Sequence, residues 1–111
     1  MRSLLFVLCA IFSTAHAADS PRVFQAGAAT SNITPDLGSS INGGFQDGKA
    51  VFIHDELNAR CLALDDGQTK LVLVVADSCV IGRGIFDEAK KMVNEATGLP
   101  LENMLMSATH S

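Results

Sequence analysis

The side chain best placed for chemistry is His110, flanked by Thr109 and Ser111 at the end of a short apolar segment. An imidazole just past a buried strand can present one ring nitrogen to a ligand or metal while a neighbour holds the other. Position alone suits an ordinary loop histidine equally well. Asp77 follows the apolar run Leu71 to Ala76. A carboxylate there can bind a metal, orient a metal-bound histidine or cap the next turn, and capping is the commoner role. His54 and Asp55 precede a strand leading to Arg60 and read either as support for a ligand or as a surface pair. Gly43 and Gly44, within Ser39–Phe45, can bring backbone N–H groups close to a ligand. No G-x-x-x-x-G-K or helix-opening G-x-G-x-x-G accompanies them, so this is not a nucleotide-phosphate loop.

These residues need elements to position them. Phe24 to Thr34 reads as a first strand stopped by Pro35, and Asp36 to Lys49 as a glycine-rich loop. Ala50 to Ile53 reads as a short extended piece. Leu57 to Leu64 and Lys70 to Ala76 are strands joined at Asp65-Asp66-Gly67-Gln68, a register that sets Leu64 opposite Leu71 and Cys61 opposite Val74. The run Leu71 to Val75 is apolar at every position, the pattern of a strand covered on both faces. From Gly84 to Thr97 the period becomes helical, with Ile85, Ala89, Met92, Val93 and Ala96 on one stripe, acids in the first turn and Gly98 as the stop. Asn103 to Ala108 returns to strand. Strand, helix, strand makes a βαβ unit whose two strands are parallel neighbours. Asp77-Ser78-Cys79 and Thr109-His110-Ser111 then meet at one carboxyl edge, where open α/β sheets bind ligands.

The start of the chain carries an export signal. Arg2 precedes the apolar run Leu4 to Phe12, and Ala15-His16-Ala17 is a small-x-small cleavage site. Residues 1–17 are therefore expected to be removed, leaving 18–111 secreted or periplasmic. The chain has eight Lys+Arg against twelve Asp+Glu, a net charge of −4, and losing Arg2 makes it more acidic. An acidic chain has no electrostatic footprint for nucleic acid, and that partner is excluded. After cleavage Cys61 and Cys79 remain. The hairpin register puts them about five residues apart along the strands, roughly 16 Å at the strand rise. That exceeds a disulfide's reach, so both are expected as free, largely buried thiols. A sheet ending on its last strand leaves an edge for more chain, so residues 18–111 are expected to be part of a larger protein.

In order, these motifs resemble the opening of the neutral/alkaline, non-lysosomal ceramidase family. The resemblance begins at Ala26-Gly27-Ala28-Ala29 and Asn32-Ile33-Thr34-Pro35 and continues through Gly43-Gly44-Phe45. It runs on through His54-Asp55-Glu56-Leu57-Asn58-Ala59-Arg60 and Asp77-Ser78-Cys79 to Ser107-Ala108-Thr109-His110-Ser111, which resembles the start of the family's T-H-[ST]-H motif.

The resemblance implies that His110 is a zinc ligand, with the motif's second histidine falling just after Ser111. The family's other ligands and its active-site serine lie further downstream. The expected fold is α/β, a mixed sheet with a βαβ unit, forming the N-terminal part of a larger zinc-hydrolase domain. The expected reaction is zinc-dependent hydrolysis of the N-acyl amide of ceramide to sphingosine and fatty acid. The implied partner is a sphingolipid or other amide substrate at a membrane surface. Asp77, Gly43, Gly44 and His54 are expected behind the ligand or along a substrate loop. Two alternatives stand beside this reading: a zinc hydrolase of another amide or ester, and a non-catalytic exported module on the same fold.

Overall fold

The computed structural model describes residues 21–41 and 45–110, so the expected leader over 1–17, Gly43, Gly44 and Ser111 lie outside the described residues. The elements in chain order are β1 (Gln25–Asn32), β2 (Ser40–Ile41), β3 (Gly48–Lys49), β4 (Asn58–Asp65), β5 (Lys70–Ala76), α1 (Arg83–Thr97), a 3-10 turn (Leu101–Asn103) and β6 (Met104–Ala108). Four strands form one sheet in the order β1-β4-β5-β6. β4 pairs antiparallel with β1 and β5, and β6 pairs parallel with β5, so the sheet is mixed and β5-α1-β6 is the expected βαβ unit.

The β4–β5 hairpin fixes the register. Gly67 takes a left-handed φ of 85°, which a glycine adopts without a Cβ penalty. Asp65 Oδ1 accepts from Gly67 N at 2.8 Å, and Asp66 Oδ1 accepts from Gln68 N at 2.9 Å and Thr69 N at 2.6 Å. Asp65 Oδ2 also pairs with Lys70 Nζ at 2.9 Å, directly across the ladder. The Lys70 ammonium and then the Gly67 N–H hold the Asp65 carboxyl below its ordinary pKa. The Thr69 and Gln68 N–H groups do the same for Asp66. Leu64 faces Leu71 and Cys61 faces Val74, as the turn chemistry predicts.

Cross-strand partners share a face, so one side of the sheet carries Cys61, Ala63, Val72, Val74, Met104 and Met106. α1 lies on that side: Phe86 and Lys90 line a shallow cleft with Met106. Among the described residues the buried apolar core is small and consists of Ala76, Leu99 and Met104. The other face carries Leu62, Leu71, Leu73, Val75 and Leu105, all exposed. The expectation that β5 is covered on both faces is thus met on one only, because no described element lies against the second.

The helix also turns differently from its expected stripe. Phe86, Ala89 and Val93 are half-buried toward the sheet, while Ile85 and Met92 are about two-thirds exposed at 65% and 64%. The apolar arc is wider than one contact line, and the sheet takes the Phe86 side. Because α1 begins at Arg83, Asp87 and Glu88 fall beyond its first turn, and Asp87 instead pairs with Arg83 at 3.4 Å. The stop is as expected. Gly98 is left-handed at φ 74°, and its N–H donates to Asn94 O at 2.8 Å. Asn103 Nδ2 then donates to Lys70 O at 2.9 Å, setting the entry of β6 beside β5.

Ala50 to Ile53 forms no strand. The pairing falls just before it, where Ser40 faces Lys49 and Ile41 faces Gly48. Asp47 secures this small hairpin by accepting from Ser40 Oγ and pairing with Lys49 Nζ at 3.2 Å. Among the described residues no helix is long and apolar enough to cross a membrane.

Candidate functional site

The parallel ladder of β5 and β6 ends at Ala76 opposite Ala108, and the chain beyond each strand stays joined to the other. Thr109 N donates to Ala76 O and His110 N donates to Ser78 O, both at 3.0 Å. Ser78 N donates in return to Thr109 Oγ1 at 3.3 Å. The two segments expected to meet at the carboxyl edge therefore do meet, and backbone hydrogen bonds carry the junction.

At its end His110 adopts φ 63°, the left-handed region, alone among the described non-glycine residues. For an L-residue this conformation costs about 1–2 kcal/mol. Such conformations persist where surrounding contacts over-determine them, and they cluster at functional positions. Here the contacts are the Ser78 carbonyl on the His110 N–H and the Cys79 carbonyl oxygen 2.8 Å from Nδ1 of the ring. Cys79 Sγ lies further from the same nitrogen, at 4.0 Å.

Asp77 is engaged elsewhere. Its Oδ2 accepts from Arg60 Nη1 at 2.7 Å and from Asn58 N at 3.0 Å, while its own N–H donates to Asn58 O at 2.9 Å. The Arg60 guanidinium first, and the Asn58 N–H second, hold its carboxyl below the usual aspartate pKa. Asp77 thus closes the β4–β5 ladder at its open end, and the group on the His110 ring is the Cys79 carbonyl, not this carboxylate. The sequence contained a signal for this. A register pairing Leu64 with Leu71 necessarily sets Asn58 opposite position 77, with Arg60 on the same face as Asn58.

His54 stands apart. Its Nδ1 pairs with Asp55 Oδ2 at 2.6 Å with both side chains highly exposed, and Phe52 meets its ring edge-on at 6.5 Å. None of its hydrogen bonds reaches Asp77 or His110. Cys61 and Cys79 are both free, as expected, but Cys79 is exposed rather than buried because it lies in the loop between β5 and α1.

Among the described residues no three His, Cys, Asp or Glu side chains gather to hold a metal ion. His110 contributes one nitrogen donor of the kind zinc accepts. A groove of about 710 Å³ opens at the far end of the sheet, lined by Gly27, Ala63, Lys70, Leu99 and their neighbours. Its charged residues Asp65 and Lys70 are paired to each other. It lies a strand's length from His110, and the chemistry-bearing residues favour the carboxyl edge as the site.

No family model matches the sequence, and no curated protein sequence matches it. Among solved structures the chain is similar to the crystal structure of neutral ceramidase from Pseudomonas aeruginosa, with a TM-score of 0.68 and 22% sequence identity. The match covers 84% of this chain and 16% of that one, so this chain spans about one sixth of the length of the protein it matches. At this identity the likeness establishes the fold: a mixed α/β sheet like part of a neutral ceramidase.

Proposed function

We propose that this chain is the N-terminal part of the catalytic domain of an exported zinc-dependent amidohydrolase, which cleaves the N-acyl amide of ceramide to sphingosine and fatty acid. The observation that carries the reading is His110, held in a left-handed conformation at the shared carboxyl edge of β5 and β6, in a chain with a ceramidase-like fold. His110 would supply one zinc ligand. Zinc held there would supply Lewis-acid chemistry, activating water near neutral pH and polarising the substrate carbonyl. Asp77 and Arg60 keep the β4–β5 ladder closed beside the ligand's loop. Gly43 and Gly44 would offer backbone N–H groups along the substrate's path, and the exposed His54 would lie outside the ligand set. The substrate is a sphingolipid or related amide presented at a membrane surface.

The place of action is the periplasm or medium, reached by cleavage after Ala17. N-terminal sequencing of the exported protein should begin at Ala18, and retained Met1 would refute export by this route. The test of function is a His110→Ala variant of the full-length protein, measured for zinc content and for hydrolysis of a labelled ceramide beside the parent. Zinc and activity should both fall while the melting transition stays in place. A variant retaining full zinc and full activity would overturn the assignment.

A further inference from the structure

We infer that the Cys79 carbonyl fixes His110 in the tautomer protonated at Nδ1, leaving Nε2 as the bare donor nitrogen, and that Thr109 is the positioning residue maintaining this arrangement. The inference rests on the proposed function only for what Nε2 would then bind.

A carbonyl oxygen accepts hydrogen bonds and cannot donate them. At 2.8 Å from Cys79 O, Nδ1 must therefore carry the proton. The Cys79 sulfur, at 4.0 Å, is too distant to compete for it. Nε2 has no hydrogen-bond partner among the described residues, so its lone pair stays available. Free neutral histidine favours the opposite tautomer, with the proton on Nε2, so the fold reverses the ring's own preference. Metal-binding histidines characteristically have one nitrogen fixed this way, which leaves the other basic and aimed.

One hydrogen bond to a loop carbonyl would not hold an exposed ring unless the two segments kept their separation. Thr109 sets it from both sides. Its N–H holds Ala76 O at 3.0 Å, and its Oγ1 accepts the Ser78 N–H at 3.3 Å, one residue before Cys79. The His110 N–H closes the same junction on Ser78 O. Removing the Thr109 hydroxyl leaves the Ser78 N–H without its acceptor and frees the Cys79 peptide to move relative to the ring. The Asp77 carboxylate is taken up by Arg60 and Asn58, and among the described residues no carboxylate stands in for the carbonyl on the ring.

The test is long-range ¹H–¹⁵N correlation on full-length protein with ¹⁵N-labelled histidine, metal-free, at mildly alkaline pH where imidazole is neutral. A His110→Gln sample assigns the signals. The parent should show His110 protonated at Nδ1 and bare at Nε2, with the two nitrogen shifts well separated. Thr109→Val keeps the side-chain shape without the hydroxyl and should draw the two shifts toward each other. Thr109→Ser should restore the separation. A parent ring protonated at Nε2 would overturn the tautomer, and an unchanged Thr109→Val spectrum would overturn the role of Thr109. Thr109→Val is accepted as folded by its amide dispersion; if it unfolds, an unchanged tautomer in folded Thr109→Ala decides against Thr109 and a shifted one decides for it. Zinc added to the same parent sample separates the two claims. An Nδ1-protonated ring that takes up no zinc upholds the tautomer and counts against the metal reading alone.

Discussion

One carboxylate oxygen, Oδ2 of Asp77, lies 2.7 Å from Nη1 of Arg60 and also receives the Asn58 N–H at 3.0 Å. A residue that follows β5 thereby clamps the first residues of β4, and the loop bearing Cys79 departs from this clamped point. Asp77 acts on the candidate site through the backbone: it fixes where the loop begins, and the loop carbonyl meets His110.

Asp77→Asn should destabilise the protein at neutral pH, because the amide keeps one acceptor but loses its charge against Arg60. The folded pKa of Asp77 is depressed, so its contribution is present above the unfolded value of about 3.9 and is lost as pH falls through the lower folded value. Urea midpoints from pH 7 to pH 2 should show parent and variant converging at the acid end. A gap that stays constant would mean that Asp77 contributes by shape alone. Asp65 and Asp66 carry depressions of the same sign, so the variant keeps part of the acid sensitivity.

Gly67→Ala should cost about 1–2 kcal/mol, the penalty for an L-residue in the left-handed region. Gly67 sits at φ 85°, and an added Cβ would meet Arg22 at an ordinary 3.8 Å, so the loss isolates backbone conformation. Chemical denaturation checks this. A loss near zero would show that the turn relaxes to another type.

The hairpin was legible because its turn residues dictate geometry: Asp-Asp-Gly fixes the loop, and the loop fixes every cross-strand pair from Asp65–Lys70 to Ala59–Ala76. The βαβ unit was legible because the period changes at Gly84 and stops at Gly98. The helix face was not, since Ile85, Phe86, Ala89, Met92, Val93 and Ala96 span more than one contact line and only packing selects among them. The small β2–β3 hairpin has two-residue strands, too short for any alternation to register. At the site, His110 could be placed from the strand ends. Its partner could not, because a main-chain carbonyl looks the same at every residue and carries no sequence signal.

The two thiols should differ sharply in reactivity. Cys61 lies within β4 facing Val74 and is half-buried, whereas Cys79 is in the exposed loop after β5. A thiol reagent added to native protein should modify Cys79 fast and Cys61 slowly, with both reacting once the chain is denatured. A native protein with no titratable thiol would instead indicate a disulfide and overturn the arrangement.

Adjacent residues of β6 provide the sharpest test of which sheet face holds the core. Met104 is 3% exposed, on the α1 side opposite Val72, while Leu105, opposite Leu73, is 63% exposed on the other face. Removing a buried methionine side chain loses its transfer free energy and leaves a cavity, so Met104→Ala should cost about 2–5 kcal/mol. A substitution on an open surface usually stays within about 0.5 kcal/mol, and Leu105→Ala should do so if that face is solvated in solution. Both variants keep strand length and register, so the difference between their urea midpoints measures burial directly. Equal, large losses would show that Leu105 is covered in the folded protein, and that the exposed sheet face serves as a second packing surface.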